Sequence, residues 1–472
     1  MVFLNGTDYN GAEVAAIISG SRTVSLLLSV LAASALFSSP LSAQTTAPEK
    51  FFTLDNGLRV VLLERRNVPL VNIVAAVNAG SKDETEATSG AIHLLEHYVL
   101  FRGTEERSGN EIARDIRRHG AYFNAHTGLD LATFEMALPA EHAEFGLRNQ
   151  KDILFNLKIT EAELENEKEV ILQEFRELRD DPFRFGGSLI YENLFRGHPY
   201  GKPIIGTEAS LRALSREGVE NFYRRFFVPG NTVLAVVGDF ALAEMEAKVK
   251  AVFGDVPKGD VVPTPLPKAE PPAKKVEIEE TLDVEEGYLL IGILGPDYND
   301  PDQYAADVLA QTLGRGIYPL LLKPLRSSRD LANSVVMTYI GLKKSGAFVV
   351  YITLDPKNMA AAKREAQNYL RRNLRSENFS PDDLLPGEER LSAFDHLEYA
   401  KNELRFAVQQ AWESGLGLAS SLAQHVLLNE KSSQIHYLEE VARISSSDLR
   451  QVAAKYFGRN EFVIVSIVPG KK

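Results

Sequence analysis

The spacing of apolar and polar positions changes along the chain between the periods of strands and helices. Between residues 51 and 78, short β-branched runs separated by turn residues such as Asn56-Gly57 predict three strands. Apolar residues then recur at helical spacing over 90–101, 110–119, 140–156 and 160–179. Residues 121–138 predict two strands around a turn at Gly128. This alternation of strands and helices indicates a layered domain of mixed α and β structure.

A proline-rich segment divides the chain into two parts. Residues 257–275 contain six prolines and no apolar periodicity, which predicts an extended linker. Both parts end alike, because 223–239 and 456–469 each run from an aromatic pair through turn residues to a β-branched strand. A duplicated domain explains this likeness, although many α/β units end with a helix, a turn and a strand. We therefore expect an N-terminal domain over 44–256 and a homologous C-terminal domain over 276–472.

Composition and charge restrict the chemistry that the chain can perform. The 472 residues include no cysteine, so disulfides, thiolate metal sites and cysteine nucleophiles are excluded. A transition metal must then be held by histidine and carboxylate side chains. The formal charge of −12 opposes non-specific binding to nucleic acid or to an anionic membrane. We expect neither as a partner.

The N-terminal sequence predicts export. Residues 24–37 form an apolar run of signal-peptide length, with Arg22 before it and a short segment ending at Ala43 after it. We expect residues 1–43 to be a signal peptide with an N-terminal extension, cleaved after Ala43, and the mature protein to be periplasmic or secreted. The alternative is an uncleaved signal anchor. No later segment has the roughly 20 apolar residues that a membrane span requires.

The strongest chemical signal is a histidine pair within the helix predicted over 90–101. His93 and His97 are four residues apart, so both imidazoles project from one helix face and can hold one metal ion. Glu96 shares that face and can take a proton from water beside the metal. The alternative is a helix with two surface or capping histidines.

Two histidines need a further protein ligand, because catalytic zinc sites normally have three. The acidic helix predicted over 160–179 offers several candidates, and spacing alone does not choose among them. They are Glu161, Glu163, Glu165, Glu167, Glu169, Glu174 and Glu177. Most of them fit a solvated charged face. Glu167 and Glu174, however, share a face with Val170 and Ile171, which predicts that these two glutamates flank an apolar patch.

Several segments together resemble the pitrilysin/insulinase family of zinc peptidases, whose H-x-x-E-H motif is the inverzincin signature. They are SGAIHLLEH, FRGT, NAHT, EKEVILQE, HPYGKPIIGT and FVPGNTVLAVVGDF, in the order found in that family. The resemblance implies an α+β fold of two homologous α/β sandwich domains, each a mixed, largely antiparallel sheet with helices packed on it. It also implies zinc-dependent hydrolysis of short or unfolded peptides.

The resemblance also implies roles for individual residues. His93, His97 and Glu174 match the zinc ligands, and one zinc ion per chain is expected. Glu96 matches the general base, and Glu167 matches a glutamate that supports the metal ligands. On these residues the chain is expected to be a metalloendopeptidase.

Substrate contacts and partners follow from the same resemblance. Asn124 and Ala125 match an edge strand to which family members add the peptide as a further β-strand. Arg326 matches an arginine that contacts substrate, but the tyrosine expected seven residues later is Asn333. We therefore expect a homodimer or a heterodimer with a paralogue that supplies the Arg/Tyr pair. The competing interpretations are a non-catalytic structural subunit of a peptidase complex and a peptide-binding module that keeps the metal for structure.

Overall fold

The computed structural model describes residues 49–261, 264–316, 319–327, 329–372, 396–428 and 434–470. The predicted signal peptide and its cleavage at Ala43 lie outside these residues. Within the described ranges, no helix has the length and apolar character needed to cross a bilayer.

The first half of the chain forms a six-stranded mixed sheet. Its strands are β1 (Glu49–Thr53), β2 (Arg59–Glu64), β3 (Leu70–Val77), β4 (Tyr122–Thr127), β5 (Ala132–Pro139) and β6 (Thr232–Gly238). They lie in the order β1-β2-β6-β3-β5-β4. Only β2 and β6 are parallel neighbours, and every other pair is antiparallel. Among the residues that the structure describes, strand β4 pairs with β5 alone and is therefore an edge strand.

The second half forms a five-stranded sheet with the same connectivity. Its strands are β7 (Val276–Leu282), β8 (Gly287–Gly295), β9 (Ser334–Leu342), β10 (Ser345–Leu354) and β11 (Val463–Pro469). They lie in the order β7-β11-β8-β10-β9, and again only one pair, β7 and β11, is parallel. Each of these strands has a counterpart in the first sheet, with β1 left over. The expected fold class of two homologous α/β domains is confirmed.

Helices cover both sheets. Those of the first half are α1 (Ala91–Phe101), α2 (Gly109–Arg118), α3 (Ala143–Phe155), α4 (Glu161–Asp180), α5 (Pro182–Leu194), α6 (Glu208–Ala213), α7 (Arg216–Phe226) and α8 (Leu242–Phe253). Those of the second half are α9 (Gln303–Gly314), α10 (Met359–Arg372), α11 (His396–Glu413), α12 (Gly415–Leu428), α13 (Gln434–Arg443) and α14 (Ser446–Val452). The four helices predicted from periodicity correspond to α1–α4. Asp181 separates α4 from α5. Its carboxylate caps α5, and Pro182 is the first residue of that helix.

The two halves exchange one helix each. Helix α5 comes from the first half, yet its Ile190 is fully buried in a cluster with Leu290 of the second sheet. Helix α12 comes from the second half, and its Ala419 and Ala423 are buried against Val74 of the first sheet. Each sheet thus has an apolar face covered by the other half, which the sequence periodicity did not predict.

The proline-rich segment lies against the protein surface. The structure places no helix or strand over its described residues, 257–261 and 264–275. Ala269 is buried in the apolar cluster between the halves. The ring of His198 contacts the Pro267 carbonyl oxygen at 2.9 Å.

Candidate metal centre

The helix that carries the histidine pair is fixed at its first turn. Gly90 precedes α1 with φ of 92°, and a Cβ added there would meet the carbonyl oxygen of Ile205 at 3.1 Å. The carboxylate of Glu84 accepts hydrogen bonds from the Gly90 and Ile92 N–H groups at 3.0 and 2.9 Å. Burial raises the pKa of Glu84 to about 8, and these two N–H donors oppose that shift. No pattern in the sequence pointed to Glu84, which lies seven residues before the first residue of the helix.

Three side chains converge on one point between α1 and α4. His93 Nε2 lies 3.1 Å from Glu174 Oε2, and His97 Nε2 lies 3.4 Å from Glu174 Oε1. One ligand atom from each residue can be chosen so that all three lie within 4.8 Å of one another. Among the described residues, this is the only group of three or more histidine, aspartate or glutamate side chains close enough to hold a metal ion. The structure therefore brings together the three residues that the resemblance indicates.

A second carboxylate orients one of the histidines. Glu167 lies on α4, one helical turn before the buried Ile171, and is 2% exposed. Its Oε2 lies 3.0 Å from His97 Nδ1, and its other oxygen forms an ion pair with Arg102. This contact leaves Nε2 of His97 facing Glu174. A carboxylate behind a ligating histidine fixes the ring and its tautomer, which is the arrangement found at many metal sites.

Glu96 lies beside the three converging residues without joining them. The Thr127 hydroxyl donates to Glu96 Oε2 at 2.6 Å, and His93 Nδ1 lies 3.3 Å from the same oxygen. Thr127 Oγ1 also lies 3.3 Å from His93 Nδ1. Thr127 thus contacts both residues from β4, a role that the sequence analysis did not assign. The only signal for it was its place at the end of the NAHT segment.

The histidines and carboxylates of the centre shift one another's pKa values. Burial favours the neutral form of His97, but its contacts with Glu167 and Glu174 outweigh this effect and raise its pKa to about 9. The pKa of His93 is also raised, because the contacts with Glu174 and Glu96 exceed the opposing effect of burial. Burial opposes ionisation of Glu174, yet the two histidines hold the pKa of its carboxyl well below the ordinary value.

The centre opens into a cleft of about 610 Å³ between the two halves. Asn124 and Ala125 of β4 line it beside His93 and Glu96. Apolar side chains make up much of the rest of its surface. They include Phe175, Leu178 and Phe183 from the first half and Val336, Ile340 and Tyr351 from the second.

Two predicted features differ in the structure. Arg326 is exposed, its guanidinium lies 3.4 Å from the Asn333 carbonyl oxygen, and it is not among the residues that line the cleft. Val170 was expected in an apolar patch between the two glutamates, but it is 45% exposed, and only Ile171 is buried. The expectation for Val170 was wrong because the helix turns this position towards solvent.

Comparison with known proteins gives a consistent result for sequence and fold. Residues 59–208 match the sequence profile described as insulinase (peptidase family M16), and residues 213–385 match that described as peptidase M16 inactive domain. An uncharacterized zinc protease of Mycobacterium leprae is 31% identical over 317 residues, which are 65% of this chain and 69% of the relative. The uncharacterized zinc protease YmxG of Bacillus subtilis is 29% identical over 303 residues, 64% of this chain and 73% of the relative. A protease from Helicobacter pylori has a similar fold, with a TM-score of 0.81 at 22% identity, over 90% of this chain and all of that one.

Proposed function

This chain belongs to the insulinase family of peptidases, peptidase family M16, and on that premise we propose that it is a zinc-dependent endopeptidase. The convergence of His93, His97 and Glu174 on one point carries the proposal. In the proposed enzyme these three residues hold the metal, Glu96 is the general base, and Glu167 positions His97.

The donor set fits zinc. Two imidazole nitrogens and one carboxylate oxygen form a His₂Glu set, which is one of the sets found in catalytic zinc sites with a fourth position free. Glu174 is 38% exposed, so the side of the centre that faces the cleft is accessible. When bound, zinc would polarise the peptide carbonyl and lower the pKa of water.

Glu96 is placed to move a proton. Its carboxylate lines the cleft next to His93 and is held by the hydroxyl of Thr127. A carboxylate in this position takes a proton from the attacking water and passes it to the leaving amine. The Thr127 hydrogen bond fixes one carboxylate oxygen, which leaves the other available to water.

Substrate binding is proposed to use the free edge of β4. Within the described residues, β4 pairs only with β5, so its outer backbone groups can pair with an extended peptide. Asn124 and Ala125 lie on this strand where it passes the centre. Backbone pairing is independent of side chains, so we expect loose sequence preference. A folded protein does not offer a free extended segment, which limits substrates to short or unfolded peptides.

A second interpretation is that the chain is a non-catalytic subunit. The match of residues 213–385 to a profile described as an inactive domain is the observation that favours it. That match begins after Glu174, however, and the first half holds Glu96 and all three proposed ligands. We therefore favour the enzyme, and the described residues of the second half form no comparable group of ligands.

We also propose that the active form is a dimer. Arg326 bonds the Asn333 carbonyl in its own domain and does not line the cleft of its own chain. A role for Arg326 at a metal centre would thus require a second chain. A homodimer and a heterodimer with a paralogue that carries an Arg/Tyr pair are distinguished by whether the purified chain alone is fully active.

Export remains a proposal that rests on residues 1–43. Cleavage after Ala43 predicts a mature protein that begins at Gln44 and is found in the periplasm or the medium. Mass spectrometry of the protein isolated from its native host tests this directly. A mature N-terminus upstream of residue 24 would contradict it.

The decisive experiment measures bound zinc and peptide cleavage in the same preparations. We expect one zinc per chain and cleavage of a quenched fluorescent peptide in the wild type. Glu96→Gln should keep the zinc and lose about 10²- to 10⁴-fold in activity, the usual contribution of a general base. Glu165→Gln, an exposed glutamate of α4, is the matched control and should change neither quantity. Zinc in the wild type without turnover would instead support the non-catalytic interpretation.

A further inference from the structure

A buried carboxylate joins the two halves next to the proposed active site. Asp130 lies in the turn between β4 and β5 and is 6% exposed. Its Oδ1 accepts the Tyr200 hydroxyl at 2.7 Å, and its Oδ2 accepts the backbone N–H of Lys343 at 2.8 Å. Lys343 belongs to the turn that connects β9 to β10 in the other half. The next residue of that turn, Lys344, donates its N–H to the Tyr200 oxygen at 3.3 Å.

The surroundings of Asp130 make these donors necessary. Lys82, which is 5% exposed, donates to the Asp130 carbonyl oxygen at 2.6 Å and pairs with the Asp83 carboxylate at the same distance. The Lys82 charge is therefore matched by Asp83, and the charge of Asp130 is compensated by neutral donors. A buried carboxylate needs such donors because water cannot solvate it. The Lys343 N–H from the second half is one of the two donors to its oxygens.

The hydrogen bond between Asp130 and the Lys343 N–H is called the Asp130 joint below. The strands on both sides of this joint line the cleft. Thr127, three residues before Asp130, holds the proposed base Glu96. On the other side, β9 and β10 carry Val336, Ile340 and Tyr351, which form the wall of the cleft contributed by the second half. A single carboxylate thus connects the strand beside the metal centre to the wall that faces it.

We propose that Asp130 is a positioning residue that sets the distance between the two walls of the peptide-binding cleft. It holds the β9–β10 turn against the end of β4, so that a peptide paired with β4 also meets the apolar wall of the second half. The proposal rests on the proposed peptidase function for its effect on substrate, but the joint itself does not depend on that function.

The variant Asp130→Asn tests the proposal with little change in size. An amide is a neutral acceptor with one oxygen. If its NH₂ group faces the Lys343 N–H, that hydrogen bond is lost, and if it faces the Tyr200 oxygen, the Lys343 bond is kept but no longer goes to a charged acceptor. Hydrogen exchange in the β9–β10 turn, residues 339–346, should become roughly tenfold faster, as expected for the loss of one hydrogen bond to a charged group. For peptide cleavage, KM should rise by a similar factor, roughly tenfold, while kcat and zinc content stay near the wild-type values.

Two further variants separate positioning from general stability. Asp152→Asn is the matched control, because Asp152 is a buried carboxylate that accepts from Thr104 and Arg107 entirely within the first half. It should lower stability without changing exchange in the turn or KM. Tyr200→Phe removes the other donor to Asp130 and should shift exchange and KM in the same direction as Asp130→Asn, by a smaller factor. If Asp130→Asn does not fold, Tyr200→Phe carries the test.

Each outcome decides the proposal. Unchanged exchange in the turn of Asp130→Asn would overturn the joint, and faster exchange with an unchanged KM would overturn its effect on the cleft. An equal rise of KM in Asp152→Asn would show that any loss of stability has this effect, which also overturns it. If zinc-loaded wild type cleaves no peptide, the proposed function fails separately. In that case the Kd of the same unstructured peptide is measured instead of KM, and Asp130→Asn should raise it roughly tenfold.

Discussion

The two halves of the molecule share one sheet topology and differ in the helix that follows the inner strand of each sheet. Helix α1 follows β3 and α9 follows β8, and each ends at a Leu-x-Arg-Gly sequence, residues 100–103 and 313–316. Counting back from these sequences aligns His93, Glu96 and His97 with three apolar residues. These are Ala306, Leu309 and Ala310, which are 0%, 0% and 4% exposed.

This difference shows how a metal centre is accommodated in a duplicated scaffold. In the second half, the helix positions are filled by small and apolar residues that pack into the core. In the first half, the same positions carry polar groups, and burying them unpaired would cost free energy. Glu167, Glu174 and Thr127 provide the partners. The scaffold is thus common to both halves, and the proposed chemistry depends on a few side chains of one of them.

The largest expected effect comes from removing a ligand in the first half. His97→Ala leaves the centre with two ligands and removes the histidine partner of the buried Glu167 carboxylate. Peptide cleavage should therefore fall by about 10³-fold or more. The counterpart substitution in the second half, Ala310→Ser, should leave activity within about twofold of the wild type, because it lies outside the chemistry. Steady-state kinetics on the same peptide compares the two. Similar losses in both variants would contradict the proposed division between the halves.

A smaller effect is expected from the residue behind the metal ligand. Glu167→Gln keeps the shape of the side chain but removes the charge that orients His97 and pairs with Arg102. Zinc affinity should fall by about 10- to 100-fold, as is typical when a partner of a ligating histidine is changed. Competition with a chelator of known affinity measures this change. An unchanged affinity would show that Glu167 serves the fold and not the centre.

Introducing one histidine into the second half tests whether this scaffold position tolerates the residue found in the first half. Ala306 is completely buried, so Ala306→His overfills the core and should lower the free energy of unfolding by about 1–3 kcal/mol. Chemical denaturation measures that change. Zinc content should remain at one ion per chain, because one added histidine does not supply the three protein ligands that a zinc site normally has. A second bound zinc would show that the contrast between the halves is weaker than described.

Proton release gives the smallest and most specific signal. The pKa of His97 is raised to about 9, above its value of 6.5 in the unfolded chain, so the stability it provides is complete below pH 6.5 and is lost as pH rises through about 9. The pKa of Glu174 is lowered, so its contribution is present above its unfolded value and is lost in acid. Zinc must displace the histidine protons. Calorimetry at pH 7 in buffers of different ionisation enthalpy should therefore detect proton release on zinc binding, and its absence would contradict protonated histidines.

The sequence predicted local features well and long-range ones poorly. Helical and strand periods located β1–β5 and α1–α4, because each element repeats its pattern over many residues. That His93 and His97 project from the same helix face followed from helix geometry alone. Glu174 could not be chosen among seven glutamates without the family resemblance, because its selection depends on how α4 crosses α1.

What the sequence could not predict depends on contacts between distant segments. The exchange of α5 and α12 between the halves leaves no periodic signal, since each helix is amphipathic whichever sheet it covers. Asp130 lies in a short turn between Leu129 and Leu131, and nothing in the sequence distinguishes it from a solvent-exposed turn aspartate. Val170 was wrongly expected in an apolar patch because helix periodicity does not indicate where the neighbouring surface ends.

The most direct test of the account is to locate the metal. A crystal of the zinc-loaded protein, with diffraction measured on both sides of the zinc absorption edge, should show one anomalous peak per chain. The account predicts this peak at about 2.0–2.2 Å from the Nε2 atoms of His93 and His97 and from a carboxylate oxygen of Glu174. A peak at any other set of side chains, or none in a fully loaded protein, would contradict it.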